Sequence, residues 1–214
     1  MRKIPFINNN FYHVYNRGVD KREIFLDGVD LARFFQSMVE FNTVEPIGSI
    51  YENCFKKENQ LGHQMSKLVN FVAYCLNENH YHFILEQVVE RGIEKFMQKL
   101  GNGYTKYFNN RNDRSGVLFQ GVFKAVHIDS NEYLLHVSAY VNLNYRVHSL
   151  GHQMSKSSWE EYTDGLVGIC NKEVITNQFN DTNEYKNFSE STIMDITERR
   201  NKFGDLQRFF IETI

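Results

Sequence analysis

The sequence predicts an α+β fold, a sheet with helices packed on it, continued by a partly helical C-terminal extension. Strand-like and helix-like segments alternate in the order strand, helix, two strands, helix, strands, helix. Two adjacent strand-like runs are separated only by Asn77-Glu78-Asn79, which suits a tight turn. Beyond Leu150 the texture becomes Ser-rich, acidic and intermittently helical. This change places a boundary there, with a first domain over residues 1–150 and an extension over 151–214.

Phe11–Gly18 (FYHVYNRG) alternates, is aromatic and ends in glycine, and so reads as a strand. Asp30–Val44 has apolar residues at helical spacing behind a capping Asp30. Residues 45–67 show no clean period and read as a loop or insertion. Leu68–Leu76 reads as a buried strand and Glu78–Gln87 as a second. Gly92–Arg111 reads as a helix weakened by Gly101 and Gly103. Val117–Ile128 carries strand residues around Gly121, a candidate bulge. Ser130–Val147 is the clearest helix, with Ser130 as N-cap and Leu134, Val137, Val141 and Leu143 along its apolar side. The chain's final residues, from Met194, read as a short amphipathic helix able to dock on the first domain.

The heptapeptide LGHQMSK occurs at Leu61–Lys67 and again at Leu150–Lys156. Seven residues are too few for a structural repeat unit of roughly 20–50 residues. A short DNA repeat within the gene accounts for the pair, and unrelated codons in the two copies would remove that explanation. His63 and His152 fall in these copies and read as solvent-exposed.

The net charge of −2 does not by itself point to nucleic acid, but the charge is uneven. Between Arg91 and His127 there are seven Lys/Arg and two acids, whereas Ser157–Ile214 holds eleven acids and six bases. Solvated helix faces explain such a middle as readily as a phosphate-binding surface does. Three cysteines (Cys54, Cys75, Cys170) without a CxxC indicate neither a disulfide framework nor a zinc knuckle. The opening residues lack the apolar core of a signal peptide, and no apolar run reaches the ~20 residues of a membrane span. The expectation is a soluble cytoplasmic protein with no membrane partner.

His80 and His82 lie two apart in a strand, so both imidazoles project from one face of the sheet. Two neutral imidazoles side by side suit a divalent cation, although two half-buried histidines with ordinary hydrogen bonds have the same spacing. Tyr140 and Asn144 lie four apart on the clearest helix and share a face. Tyr140 offers a phenol and Asn144 a carbonyl oxygen suited to a hard cation. A packed tyrosine and a helix-end asparagine are the alternative. His136, a turn earlier, is placed to orient Tyr140 or simply to pack.

FYHVYNRG, AYCLNENHYHFIL, RSGVLFQGVFK and EYLLHVSAYVNLN occur in this order with sensible spacing. Together they resemble the single-tyrosine HUH transposases of the insertion-sequence-200-like group, and most of all their REP-associated branch. The resemblance covers roughly Phe11–Leu150, and more loosely the segment to Tyr162. It implies a ferredoxin-like antiparallel sheet with the HUH motif, here His80-Tyr81-His82, on a central strand. It further implies that Tyr140 is the nucleophile, opening Tyr140-Val141-Asn142-Leu143-Asn144, and that Asn144 is the third metal ligand beside His80 and His82. The family has Met-Pro-Asn before the first histidine where this chain has Asn77-Glu78-Asn79, and often Pro where this chain has Tyr145. Neither change removes a reacting group.

The implied chemistry is cleavage of single-stranded or hairpin DNA with one Mg²⁺ or Mn²⁺ and no nucleotide cofactor. It passes through a 5′-phosphotyrosine that a 3′-hydroxyl later attacks. Arg17, Lys21, Arg22, Arg111, Arg114 and Lys124 are the candidate phosphate contacts. Tyr104 and Tyr107 are candidates for base stacking or core packing, and are rival nucleophiles. Association with the nucleoid follows from the resemblance, and a homodimer stays open. Three other readings compete: a relaxase or replication initiator of the HUH type, a non-catalytic RNA-binding-like sheet, and a domesticated hairpin binder. The first commonly has a third histidine in the metal motif, which this sequence lacks. The second leaves the HxH pair and the Tyr140–Asn144 spacing unexplained.

Overall fold

Where the chain folds back at Glu78–Asn79, strands β2 (Val69–Asn77) and β3 (His80–Gln87) pair antiparallel, with Asn77 opposite His80. The computed structural model describes residues 5–50, 66–147 and 154–203. Both copies of LGHQMSK fall largely outside the described residues, as do His63 and His152. Strand β1 (Phe11–Arg17) lies on the other side of β3, and β4 (Lys124–Ile128) lies outside β1. With the short β5 (Lys156–Ser157) the antiparallel order is β4-β1-β3-β2-β5. Helices α1 (Gly28–Glu40) and α2 (Gly92–Arg111) complete a βαββαβ arrangement, the ferredoxin-like motif. The fold class expected from sequence is therefore the one observed.

Strand alternation assigns the two faces. Tyr12 and Val14 of β1 share a core with Tyr81, Phe83 and Leu85 of β3, Phe34 and Met38 of α1, and Phe96, Leu100 and Tyr104 of α2. Gly103 is required there, because a Cβ would stand 2.5 Å from the Phe41 ring. The opposite face carries His13, His80 and His82 and receives α3 (Asn131–Asn142) and α4 (Asn144–Val147).

Three local expectations change. Asp27, not Asp30, caps α1 by accepting from the amides of Val29 and Asp30. Asp30 is instead fully buried and accepts from Leu26 N. The strand expected over Val117–Ile128 begins only at Lys124, because Gly116 and Gly121 take positive φ and Leu118 turns inward to the core. The long helix breaks at Leu143, whose φ of −109° and ψ of 15° end α3, so Asn144 opens a separate turn.

The chain beyond residue 150 shares the sheet and core of what precedes it. After β5 come α5 (Trp159–Thr163), α6 (Glu173–Thr176) and α7 (Thr182–Phe203). Tyr162, Ile175, Tyr185 and Ile193 join one buried cluster with Val137 and Val141 of α3. Ser158 Oγ donates to Asn142 Oδ1 at 2.5 Å, and Asn142 Nδ2 donates to Tyr185 OH at 2.8 Å. The C-terminal end of α3 is thereby bolted in place. Among the described residues, no helix is long and apolar enough to cross a membrane.

Candidate active site

In the β1–β3 pairing, Tyr15 stands opposite His82 and Arg17 opposite His80. Cys75 and Asn77 face the same pair from β2. The site is therefore a patch at one end of the sheet, roofed by α3 and α4.

His80 is oriented from both sides. Its Nδ1 lies 2.6 Å from Asn79 Oδ1, so Nδ1–H donates there and Nε2 keeps its lone pair. That Nε2 lies 3.1 Å from Asn144 Oδ1. Asn77 Nδ2 bridges them, donating to Asn144 Oδ1 at 2.8 Å and to His80 Nε2 at 2.9 Å. Cys75 Sγ donates to Asn77 Oδ1 at 3.6 Å, which fixes that amide's orientation. Burial holds the His80 pKa below the ordinary histidine value, opposed by the Asn144 contact and aided by the positive charge of Arg17. The imidazole is neutral at pH 7.

His82 is 8% exposed. Its ring centroid lies 5.2 Å from that of His80 and 5.5 Å from that of Tyr140, which meets it edge-on at 81°. His82 Nδ1 lies 2.9 Å from Nε2 of His13, a residue that sequence reasoning did not single out. His13 is buried, and burial lowers its pKa to about 4. Its ring also meets Tyr140 edge-on at 6.0 Å. Asn77 was missed in the same way, having been read only as a turn residue. The structure thus brings His80, His82, Tyr140 and Asn144 together, with His13 and Asn77 beneath them.

The expected cations divide. Arg17 and Lys124 border this face, Arg17 beside His80 and bonded to Gln120, Lys124 over the Tyr15 ring at 5.6 Å. Lys21 is exposed near the β2–β3 turn, where its carbonyl accepts from Asn79 Nδ2, and Arg22 lies 3.9 Å from Asp20. Arg111 departs from expectation. It is clamped to Asp27 at 2.6 Å and to the buried Asp30 at 2.5 Å, so it holds α2 to the start of α1. Arg114 braces its own loop through Asn109 and the Val117 carbonyl. Tyr104 is fully buried on the opposite face and donates to the Ile24 carbonyl at 2.6 Å, which removes it as a stacking platform or nucleophile. Tyr107 donates to Asp30 in the same layer. His136 packs on Phe188 and lies 3.5 Å from Thr192, facing α7.

Residues 56–144 match the family model for IS200-like transposases, a span that holds both histidines of the HxH pair, Tyr140 and Asn144. Over that span the chain is similar to the IS200-like transposases. The matched span covers less than half of the chain and ends on Asn144 itself. The fold of this chain is also similar to the solved structure of a REP-associated tyrosine transposase bound to a REP hairpin. The two share 12% identity with a TM-score of 0.50, over 79% of this chain and 88% of that one. A second solved structure, tRNA(His) guanylyltransferase from Saccharomyces cerevisiae, aligns at a TM-score of 0.29 and 12% identity over 90% of this chain and 81% of that one. At that similarity it carries no argument. No curated protein matches the chain by sequence.

Proposed function

We propose that this chain is a transposase that cleaves and rejoins single-stranded DNA with Tyr140 as nucleophile and a divalent cation, Mg²⁺ or Mn²⁺, held by His80, His82 and Asn144. One observation carries the reading: the lone pair of His80 Nε2 and the amide oxygen of Asn144 converge to 3.1 Å beside His82, whose ring meets that of Tyr140. Two acceptors turned on each other repel unless something positive lies between them, and here the Asn77 N–H group supplies it. Among the described residues Asn144 Nδ2 is buried without a hydrogen-bond partner, so this side chain presents its oxygen at the expense of its own nitrogen. Two imidazole nitrogens and an amide oxygen fit a divalent cation.

The bound cation would polarise the scissile phosphate and stabilise charge on its oxygens. The chain's own residues do the rest. Tyr140, on the rigid α3, brings its phenol to the phosphorus. The new oxygen–phosphorus bond forms as the bond to the 3′ oxygen breaks, and the phenol loses a proton as the 3′ oxygen gains one. The product is a 5′-phosphotyrosine and a free 3′-hydroxyl, and a later 3′-hydroxyl reverses the exchange without ATP. Arg17 and Lys124, bordering the site, hold flanking phosphates. Hairpin DNA is the proposed substrate form, because the structurally similar transposase was solved on a hairpin.

The test is incubation of the full chain with hairpin DNA carrying single-stranded flanks, taken from beside its own gene, with Mg²⁺ or with EDTA. Cleavage that requires Mg²⁺ is expected. Cleavage undiminished by EDTA overturns the metal reading, and binding without cleavage in Mg²⁺ points to a domesticated hairpin binder.

A further inference from the structure

A cleft of about 570 Å³, lined in part by Tyr140, opens between β4, α3 and α7. Its floor is apolar and aromatic: Tyr140, Val137 and the buried His13. Asp129, Glu132 and Asp195 also line it, all three exposed, and Asp195 is contributed by α7. The volume suits one nucleotide, and the floor suits the flat face of a base.

The charges select the ligand. Three carboxylates against one Arg199 disfavour a phosphate in this cleft. They favour hydrogen-bond donors, and cytosine, adenine and guanine each carry an amino group that supplies them, whereas thymine has only its N3–H. Carboxylates pair with base amino groups through charge-assisted hydrogen bonds. Thymine presents carbonyls and a methyl group on most of its edge and gains least.

We propose that this cleft is a base-reading subsite, which takes one unpaired nucleotide next to the phosphate at Tyr140 and prefers an amino-bearing base to thymine. The inference rests on the reading of Tyr140 as nucleophile on single-stranded DNA and adds a specificity determinant to it. One wall, with Asp195, belongs to α7, outside the residues that match the family model, so this chain's C-terminal segment contributes to the preference.

The experiment uses the full chain and fluorescent single strands about ten nucleotides long, within the ordinary site size of such proteins. One strand is all thymidine, and the others carry a single central cytosine, adenine or guanine. Binding of at least one substituted strand about tenfold tighter than all-thymidine is expected. In Asp195→Asn, an exposed change that leaves the core intact, that preference should shrink severalfold while affinity for all-thymidine stays equal or rises. Glu132→Gln serves as a second such variant. Equal binding of all four strands by the unaltered chain overturns the subsite and leaves the DNA reading standing. An undiminished preference in both variants also overturns it. Failure to bind any strand overturns the DNA reading itself, and the subsite with it.

Discussion

His13 Nε2 lies 2.9 Å from His82 Nδ1, in a contact buried beneath Tyr140. With His13 held neutral by burial, the two rings share a single N–H. For His82 Nε2 to present a lone pair to a cation, its Nδ1 must carry that hydrogen and donate it to His13. His13 is then the residue that selects the tautomer of a proposed ligand, and partners of this kind commonly change metal affinity by about 10–100-fold.

In His13→Phe, the dissociation constant for Mn²⁺, measured by isothermal titration on the DNA-free protein, should rise by about 10–100-fold. His13→Gln keeps an acceptor at a similar distance from the backbone and should recover most of that loss. A His13→Phe protein that is folded, by its thermal transition, and binds Mn²⁺ as tightly as the unaltered chain would remove His13 from the site.

Arg17 and Arg111 were equal candidates in sequence, and the structure separates them. Arg17→Ala should weaken DNA binding and lower the slope of log affinity against log salt by about one. Arg111→Ala should leave that slope unchanged and lower the thermal midpoint, because Asp30 remains buried without its cation. Fluorescence anisotropy across a salt series, beside a thermal melt, checks both. A salt slope that falls with Arg111→Ala would return Arg111 to the DNA surface.

The C-terminal segment holds the helix that carries Tyr140. Tyr185→Phe removes the acceptor of Asn142 Nδ2 and the contact with Ser138, 3.3 Å away, inside a fully buried cluster. A loss of about 1–3 kcal/mol in urea unfolding is expected. No change in the unfolding midpoint would mean that the tail rests on α3 without bracing it.

Much of the sheet was legible because its strands carry long apolar or alternating runs with clean ends. Phe11–Arg17, Val69–Asn77 and His80–Gln87 lie within a residue or two of their expected bounds. The His80/His82 pair was legible for a related reason, since it sits in one strand whose period sets its direction, and the Tyr140–Asn144 pairing survives although the helix breaks at Leu143 between them. What sequence did not show depends on partners distant along the chain. His13 matters because β1 pairs with β3 in a register that sets Tyr15 opposite His82. Arg111 was counted as free positive charge because its acids, Asp27 and Asp30, lie in the turn that opens α1, far upstream. The halved strand before Ile128 was misjudged because Gly116 and Gly121 look alike as a bulge or as two turns.

The central claim is that Tyr140 reacts and that the His80–His82–Asn144 cluster enables it. The most direct measurement is peptide mapping by mass spectrometry after incubation with a hairpin oligonucleotide and Mn²⁺. A nucleotide-bearing peptide containing Tyr140 is expected. It should be absent in Tyr140→Phe and reduced at least a hundredfold in His82→Ala, as expected when a site loses a transition-state contact. An adduct on any other tyrosine, or one that persists at full yield in His82→Ala, would contradict the account.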